Sequence, residues 1–239
     1  ELENLTTNSV RHRISFLKNH MITPAEFRSK HVGSFLEEKI ADVYVEYQKR
    51  LIEFNAMDFD DLLLKPIELF NEKKHILQKY KSRFEFLLVD EFQDTNKAQY
   101  ELLKLLVSRS GLISVVGDDA QSIYSWRGAN IGNMRDFGKD FPKFQLFKLE
   151  QNYRSTKMIL KAADSVIKNN KDQVPKTLWT ENEEGEPVML LKCADEKDEA
   201  SQISKYIKYE LTKKKLVFND FAILYRTNSQ SRAMEDIFR

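Results

Sequence analysis

Two short apolar runs in this chain each break off into acids. Phe86-Leu87-Leu88-Val89 leads into Asp90-Glu91-Phe92-Gln93-Asp94, and Val115-Val116 leads into Gly117-Asp118-Asp119-Ala120-Gln121. Brief apolar runs bounded by polar residues fit buried strands of a parallel sheet. Open α/β sheets place their ligands beyond the carboxyl ends of such strands. Two acidic strand ends in series therefore point to a nucleotide-phosphate and Mg²⁺ site. Strand candidates fall at 84–89, 112–116, 144–149, 187–192 and 220–225, with helical stretches at 96–109, 155–169 and 195–212. Alternating strands and helices predict an α/β fold with a mainly parallel, wound sheet.

Residues 1 to about 72 read differently, as helices. Thr23-Pro24-Ala25-Glu26 is a capping box with Pro at the first helical position, and Ser34-Phe35-Leu36-Glu37 is another. Behind the second, Leu36, Ile40, Val43, Tyr47, Leu51 and Phe54 recur at spacings of four and three, predicting an amphipathic helix. Tyr44 and Tyr47 read as packing residues. Asp58-Phe59-Asp60-Asp61 reads as a helix start whose acids suit the helix dipole.

Composition narrows the class. Lys+Arg 38 against Asp+Glu 37 leaves a formal charge of +1, so any nucleic-acid surface has to be local. The single Cys193 excludes an internal disulfide framework and fits a reducing compartment. No stretch reaches the roughly 18 apolar residues of a membrane span. The expected location is the cytoplasm. The chain begins at Glu1 and stops at Arg239 within a helical stretch, as a piece of a longer protein would.

Three segments carry chemistry. Asp90 is the candidate metal carboxylate and Glu91 the candidate group for orienting an attacking water, with strand alternation expected to split these roles. The loop Gly117 to Ala129 gathers an amide, two aromatics and a guanidinium. Gln121 suits a γ-phosphate oxygen or its water, Tyr124 and Trp126 offer faces for a nucleobase, and Arg127 suits a phosphate or an acid. Core filling is the competing account of the two aromatics. In Leu149-Glu150-Gln151-Asn152-Tyr153-Arg154-Ser155, Ser155 reads as a helix cap. Tyr153 beside Arg154 suits an adenine on a ring with a cation near its phosphates.

These segments, in this order, resemble the superfamily 1 DNA helicases of the UvrD/Rep/PcrA type. Val89-Asp90-Glu91-Phe92-Gln93-Asp94-Thr95-Asn96 is similar to that family's motif II. Val116 to Ala129 is similar to motif III, with Ala120 where the family usually has Asp, and Leu149 to Ser155 to motif IV. Asn55 to Leu63 and Ile223 to Arg232 agree as well, so the likeness spans nearly the whole chain. The resemblance implies an ATP-dependent 3′→5′ DNA helicase with ATP and Mg²⁺ as cofactors. Its DNA partners would be single strands and single/double-strand junctions, with repair or replication proteins alongside. By the same likeness Asp90 is the Mg²⁺ ligand, Glu91 the catalytic base, and Gln121 the γ-phosphate sensor. Tyr124, Trp126 and Arg127 become single-strand contacts, Tyr153 the aromatic under adenine, and Arg154 the arginine finger. The implied layout is a helical insertion at 1–72, the later half of one RecA-like motor domain at 73–146, and the early half of a second at 147–239.

Rival readings are the motor of an AddA/RecB-type helicase–nuclease, a DNA-binding or partner-binding module without turnover, and a nuclease with two Mg²⁺ ions on Asp90, Glu91, Asp118 and Asp119. The phosphate-cradling pattern G-x-x-x-x-G-K-[ST] does not occur in these 239 residues. Residues 1–239 by themselves are therefore expected to release little or no phosphate from ATP. Robust DNA-stimulated hydrolysis by the purified chain overturns that expectation.

Overall fold

The computed structural model describes residues 5–30, 33–108, 111–171 and 173–239. They form two compact units, one of 1–150 with 167–177 and one of 151–166 with 178–239. The class is mixed α/β with a small parallel sheet. Among the described residues no helix is long and apolar enough to cross a membrane.

The first unit opens with helices α1 (Thr7–Asn19), α2 (Pro24–Lys30) and α3 (Phe35–Glu53), followed by α4 (Asp61–Glu72) and α5 (Lys74–Arg83). Local chemistry starts several of them. The expected box at Thr23 forms, with Glu26 N–H donating to Thr23 Oγ1 at 3.2 Å and Thr23 N–H to Glu26 Oε2 at 3.2 Å. At α3, Glu37 N–H donates to Ser34 Oγ, while the Glu37 carboxylate reaches one residue further back, to Gly33 N–H. Val10, Ile14, Leu17, Phe27, Ile40, Ala41 and Tyr44 make one core. The stripe expected on α3 is therefore rotated: Ile40 and Tyr44 are buried, but Val43 and Phe54 face solvent. The core lies on one side of the helix, and Ala41 with Tyr44 supplies what the apolar spacing assigned to Val43.

Asp58, Asp60 and Asp61 do start a helix, and they do more than that. Asp58 Oδ1 accepts from Asp61 N–H at 2.8 Å, capping α4. Lys18, 1% exposed at the end of α1, donates to Asp58 at 2.7 Å and to Asp61 at 2.9 Å. The Tyr47 hydroxyl completes the cage at 3.0 Å from Asp58, and burial together with Asp58 pushes that hydroxyl up to about 12. Burial of the cage also pushes the Asp58 carboxyl up. Hydrogen bonds from Lys18 and from Asp61 N–H outweigh that effect, so the carboxyl sits below its ordinary range.

The sheet comprises β1 (Leu87–Val89) and β2 (Ile113–Val115), parallel, with Leu87, Leu88 and Val89 opposite Ile113, Ser114 and Val115. Helix α6 (Lys97–Leu106) makes the crossover between them, started by a capping box between Asn96 and Gln99. A second core joins Phe92, Tyr100 and Phe137 with Val89, Ile113, Val115 and Leu103, closed by α7 (Gly132–Asp140). Phe92 meets Tyr100 and Phe137 edge-on at 5.6 Å each. Among the described residues the core packs on one face of the sheet, where Val89, Ile113 and Val115 are half-buried, while Leu88 on the other is 75% exposed, so the strands are less buried than expected on both sides.

The second unit contains α8 (Lys157–Ile167, apart from its last residue), α9 (Glu196–Lys214) and α10 (Ser231–Phe238), with α10 packed on α9. Asp195 caps α9 by accepting from Lys197 and Asp198 N–H. The strands expected at 144–149, 187–192 and 220–225 do not form. A strand exists only against a partner, and these segments find no ladder among the described residues. Nearby, a parallel bridge joins Gln151 and Trp179. Ser155 is not the cap expected of it, since α8 starts at Lys157 and Ser155 N–H is held by Asn152 Oδ1 at 2.8 Å.

Replacing Lys18 by Met leaves Asp61 buried without its cation. That should destabilise the fold by about 3–5 kcal/mol in urea denaturation. A carboxyl depressed by folding stabilises above its unfolded pKa, near ~3.9, and that contribution fades as pH falls through the lower folded value. The Lys18→Met variant should accordingly lose less stability than the parent on acidification below about pH 4. Equal acid sensitivity of the two proteins would count against the cage.

Candidate nucleotide and single-strand site

The pleat of β1 ends at Val89, so strand alternation does not separate Asp90 from Glu91 as expected. Glu91 instead takes a left-handed conformation, φ 50° and ψ 42°. A non-glycine residue there costs on the order of 1 kcal/mol or more, and such strain collects at working sites. The turn is held by Asp90 Oδ1, which accepts from Glu91 N–H at 2.9 Å. Both acids are exposed. Gln93, 1% exposed, donates from Nε2 to Glu91 Oε2 at 2.7 Å. Its carbonyl oxygen Oε1 accepts from Asp118 N–H at 3.0 Å. One buried amide thus joins the two acidic strand ends. Asp94 stands beside them with a buried carboxylate oxygen that has no hydrogen-bond partner among the described residues, and burial followed by the charge of Glu91 raises its carboxyl.

Gly117 makes that junction possible. A Cβ there would lie 2.7 Å from Gln93 Oε1 and 3.2–3.3 Å from the backbone nitrogens of Gln93 and Phe92. After it, Asp118 Oδ2 accepts from Gln121 Nε2 at 2.8 Å, so the amide expected at a γ-phosphate rests on a carboxylate. Lys176 Nζ, from the segment 167–177, donates to Asp118 Oδ1 and to Asp119 Oδ1, the latter at 3.0 Å. Burial pushes the Asp118 carboxyl up, but the bonds from Lys176 and Gln121 hold it below its ordinary range.

Further along the loop, Ser125–Arg127 forms a single 3₁₀ turn ended by Gly128 at φ 89°. Trp126 is 68% exposed, so filling a core does not account for it in this chain. The Arg127 guanidinium lies 4.6 Å from the Trp126 ring centre and 5.3 Å from that of Tyr124. Gly128 permits this turn by its positive φ and by its approach to α1, where a Cβ would meet Asn19 Cβ at 3.3 Å. Asn19 in turn bonds Asp60 and Asn96, and Asn133 bonds Thr95 and the Asn96 carbonyl. This buried polar seam seats the aromatic loop on the helices before it.

In the second unit, Gln151, Asn152, Tyr153 and Arg154 line an open hollow. Asn152 N–H donates to the Trp179 carbonyl at 2.7 Å, and Asn152 Oδ1 accepts from Arg154 N–H at 3.0 Å. The Tyr153 hydroxyl donates to Gln151 Oε1 at 2.7 Å, and its ring is exposed. The Tyr153 and Arg154 backbones are thus fixed while both side chains project outward.

Sequence reasoning missed Lys176, Lys18 and the bridging use of Gln93. Gln93 lies within the acidic segment that ends the first strand, where its place between Glu91 and Asp94 was the available clue. Lys176 and Lys18 carry no pattern, because each is far in sequence from the acids it serves.

Two family models match the chain. The UvrD/REP helicase N-terminal domain covers residues 1–142 and the UvrD-like helicase C-terminal domain residues 147–239. Similar proteins include the ATP-dependent DNA helicase PcrA of Leuconostoc citreum, 45% identical over 98% of this chain, and that of Staphylococcus aureus, 48% identical over 94%. The Bacillus subtilis protein of the same name is 46% identical over 93%. The chain spans 32%, 30% and 30% of the length of these relatives, respectively.

Gly117→Ala should force Gln93 off its two partners and destabilise the fold by roughly 1–3 kcal/mol. Thermal or urea denaturation reads this directly. An unchanged midpoint would mean the close packing at Gly117 is not a constraint.

Proposed function

This chain belongs to the UvrD/REP helicase family, and on that premise we propose that it is the motor portion of an ATP-dependent DNA helicase moving 3′→5′ along single-stranded DNA. The division we propose is a helical insertion at 1–72, part of one RecA-like domain at 73–146 and part of a second at 147–239. Its substrates are ATP, single-stranded DNA and single/double-strand junctions, with repair or replication proteins as partners and the cytoplasm as compartment. The observation that carries this reading is the Gln93 bridge, which holds a water-orienting acid and a γ-phosphate-sensing loop in one rigid unit.

The donor set fits Mg²⁺. Asp90 offers an exposed carboxylate beyond a strand, and this ion usually takes one or two carboxylates and completes its shell with waters and substrate phosphates. When bound, Mg²⁺ neutralises charge on the β- and γ-phosphate oxygens. Glu91 orients the attacking water and accepts its proton. Because Gln93 pins Oε2, Oε1 is the oxygen we assign to the water. Gln121 trades Asp118 for a γ-phosphate oxygen. Tyr153 lies under adenine, and Arg154 balances the charge that grows on the transferring phosphoryl group. Trp126 stacks on a base with Tyr124 and Arg127 beside it, a sequence-indifferent contact worth roughly 1–3 kcal/mol per base.

The two-metal nuclease reading needs Asp118 and Asp119 facing ions, yet both accept from Lys176. The helicase reading is tested in the whole protein. Glu91→Gln and Arg154→Ala should each abolish ATP hydrolysis, the second by on the order of 10³-fold or more. Binding of a labelled single strand, followed by fluorescence anisotropy, should persist in both. Near-normal turnover in either variant removes that residue from the role given to it.

A further inference from the structure

Among the described residues Lys176 is the cation placed on the Asp118–Asp119 pair, and it is partly buried there, with 22% of its side chain exposed. Two anchors come from the same short segment. Lys176 reaches both carboxylates, and Val174 N–H donates to Asp119 Oδ2. Asp119 is the more enclosed acid, its side chain 9% exposed, and it is spent on these contacts and on Ala120 N–H. Asp118 is shared between Lys176 on Oδ1 and Gln121 on Oδ2. The same residue also connects backward, through its N–H, to Gln93 and hence to Glu91.

We propose that Lys176 is a positioning residue for Gln121: it holds the Gly117–Gln121 loop in place and keeps Asp118 satisfied when the glutamine amide departs. This rests on the helicase reading above, in which Gln121 must move its amide to a phosphate oxygen. The physical reason is competition for one acceptor. A carboxylate with no other side-chain donor binds an amide N–H tightly, and leaving it bare in a half-buried place is unfavourable. With Lys176 on Oδ1, the charge of Asp118 is already met and Oδ2 can be vacated at little penalty. Without Lys176, two adjacent acids repel, and Gln121 is the nearest side-chain donor left to compensate Asp118. The amide then stays parked, and sensing of the γ-phosphate slows.

The test uses the whole helicase polypeptide. Lys176→Met should lower kcat for DNA-stimulated ATP hydrolysis on the order of ten-fold, the weight of about one charge-assisted hydrogen bond. KM for ATP and nucleotide-free affinity for single-stranded DNA should stay within about three-fold, and Lys176→Arg should recover most of kcat, because both points correspond to less than half that energy. In a Gln121→Ala background, Lys176→Met should add almost nothing, since its effect passes through the amide already removed. If Lys176→Met does not fold, Asp119→Asn decides in its place. It keeps an acceptor for Val174 N–H but weakens the grip of Lys176, and the same pattern is expected in smaller measure. Full additivity with Gln121→Ala, unchanged kcat, or DNA binding lost in parallel with kcat overturns the proposal. Failure of the underlying reading looks different: the parent protein would lack DNA-stimulated hydrolysis, or Gln121→Ala would leave it intact.

Discussion

The buried side-chain amide of Gln93 is the joint on which the site depends, because it satisfies a carboxylate on one side and a backbone N–H on the other. Glu91 and Asp118 leave different strands; the backbone bonds from Val116 N–H to the Val89 carbonyl and from Phe92 N–H to the Val116 carbonyl bring the two ends together, but they do not reach the Glu91 carboxylate. An amide can do so, having both a donor and an acceptor end. Its burial makes both bonds obligatory, since an unpaired polar atom there would be expensive. Gly117 is the steric counterpart: only a residue without Cβ lets the second strand end come this close to Gln93.

The strain at Glu91 acquires a reason in this setting. A continued strand would carry Glu91 along the pleat and away from the Gln93 amide. The left-handed step turns the chain at once into the short helical turn Phe92–Asp94, which sends Phe92 into the core and Gln93 under the acids. Packing of Phe92 between Tyr100 and Phe137 then holds the turn in place. Chemistry and core are adjacent in sequence and face opposite ways.

The aromatic loop is fixed from another direction. The helices at 7–72 meet α6 through α1 and α4, and at the start of α6 the contact includes the bond between Asn19 and Asn96. Asn19, Asn96 and Asn133 form a run of amide bonds under Gly128, while Lys18 closes the acids at the start of α4. These helices thus form part of the seat from which Trp126 and Arg127 project. A change in that seam would be felt at Trp126 and Arg127 without touching them.

Helix starts were legible because a cap is a contact between residues three apart, as at Thr23 and Ser34. The acids at 90, 91 and 118 and the exposed aromatics at 124, 126 and 153 were legible as well, since residues of that kind stand out in any short window. Three of the five strand candidates failed for the opposite reason: 144–149, 187–192 and 220–225 have the composition of strands, but pairing belongs to two segments at once and composition speaks for one. The sequence by itself determined where chain direction and polarity change, and which side chains carry the groups proposed for phosphate and base contacts. Only the tertiary structure decided that Gln93 would join two strand ends, that Lys18 would be caged by acids forty residues away and more, and that Lys176 would settle on Asp118 and Asp119. Those choices depend on distances through space between residues remote along the chain, and no local period encodes them.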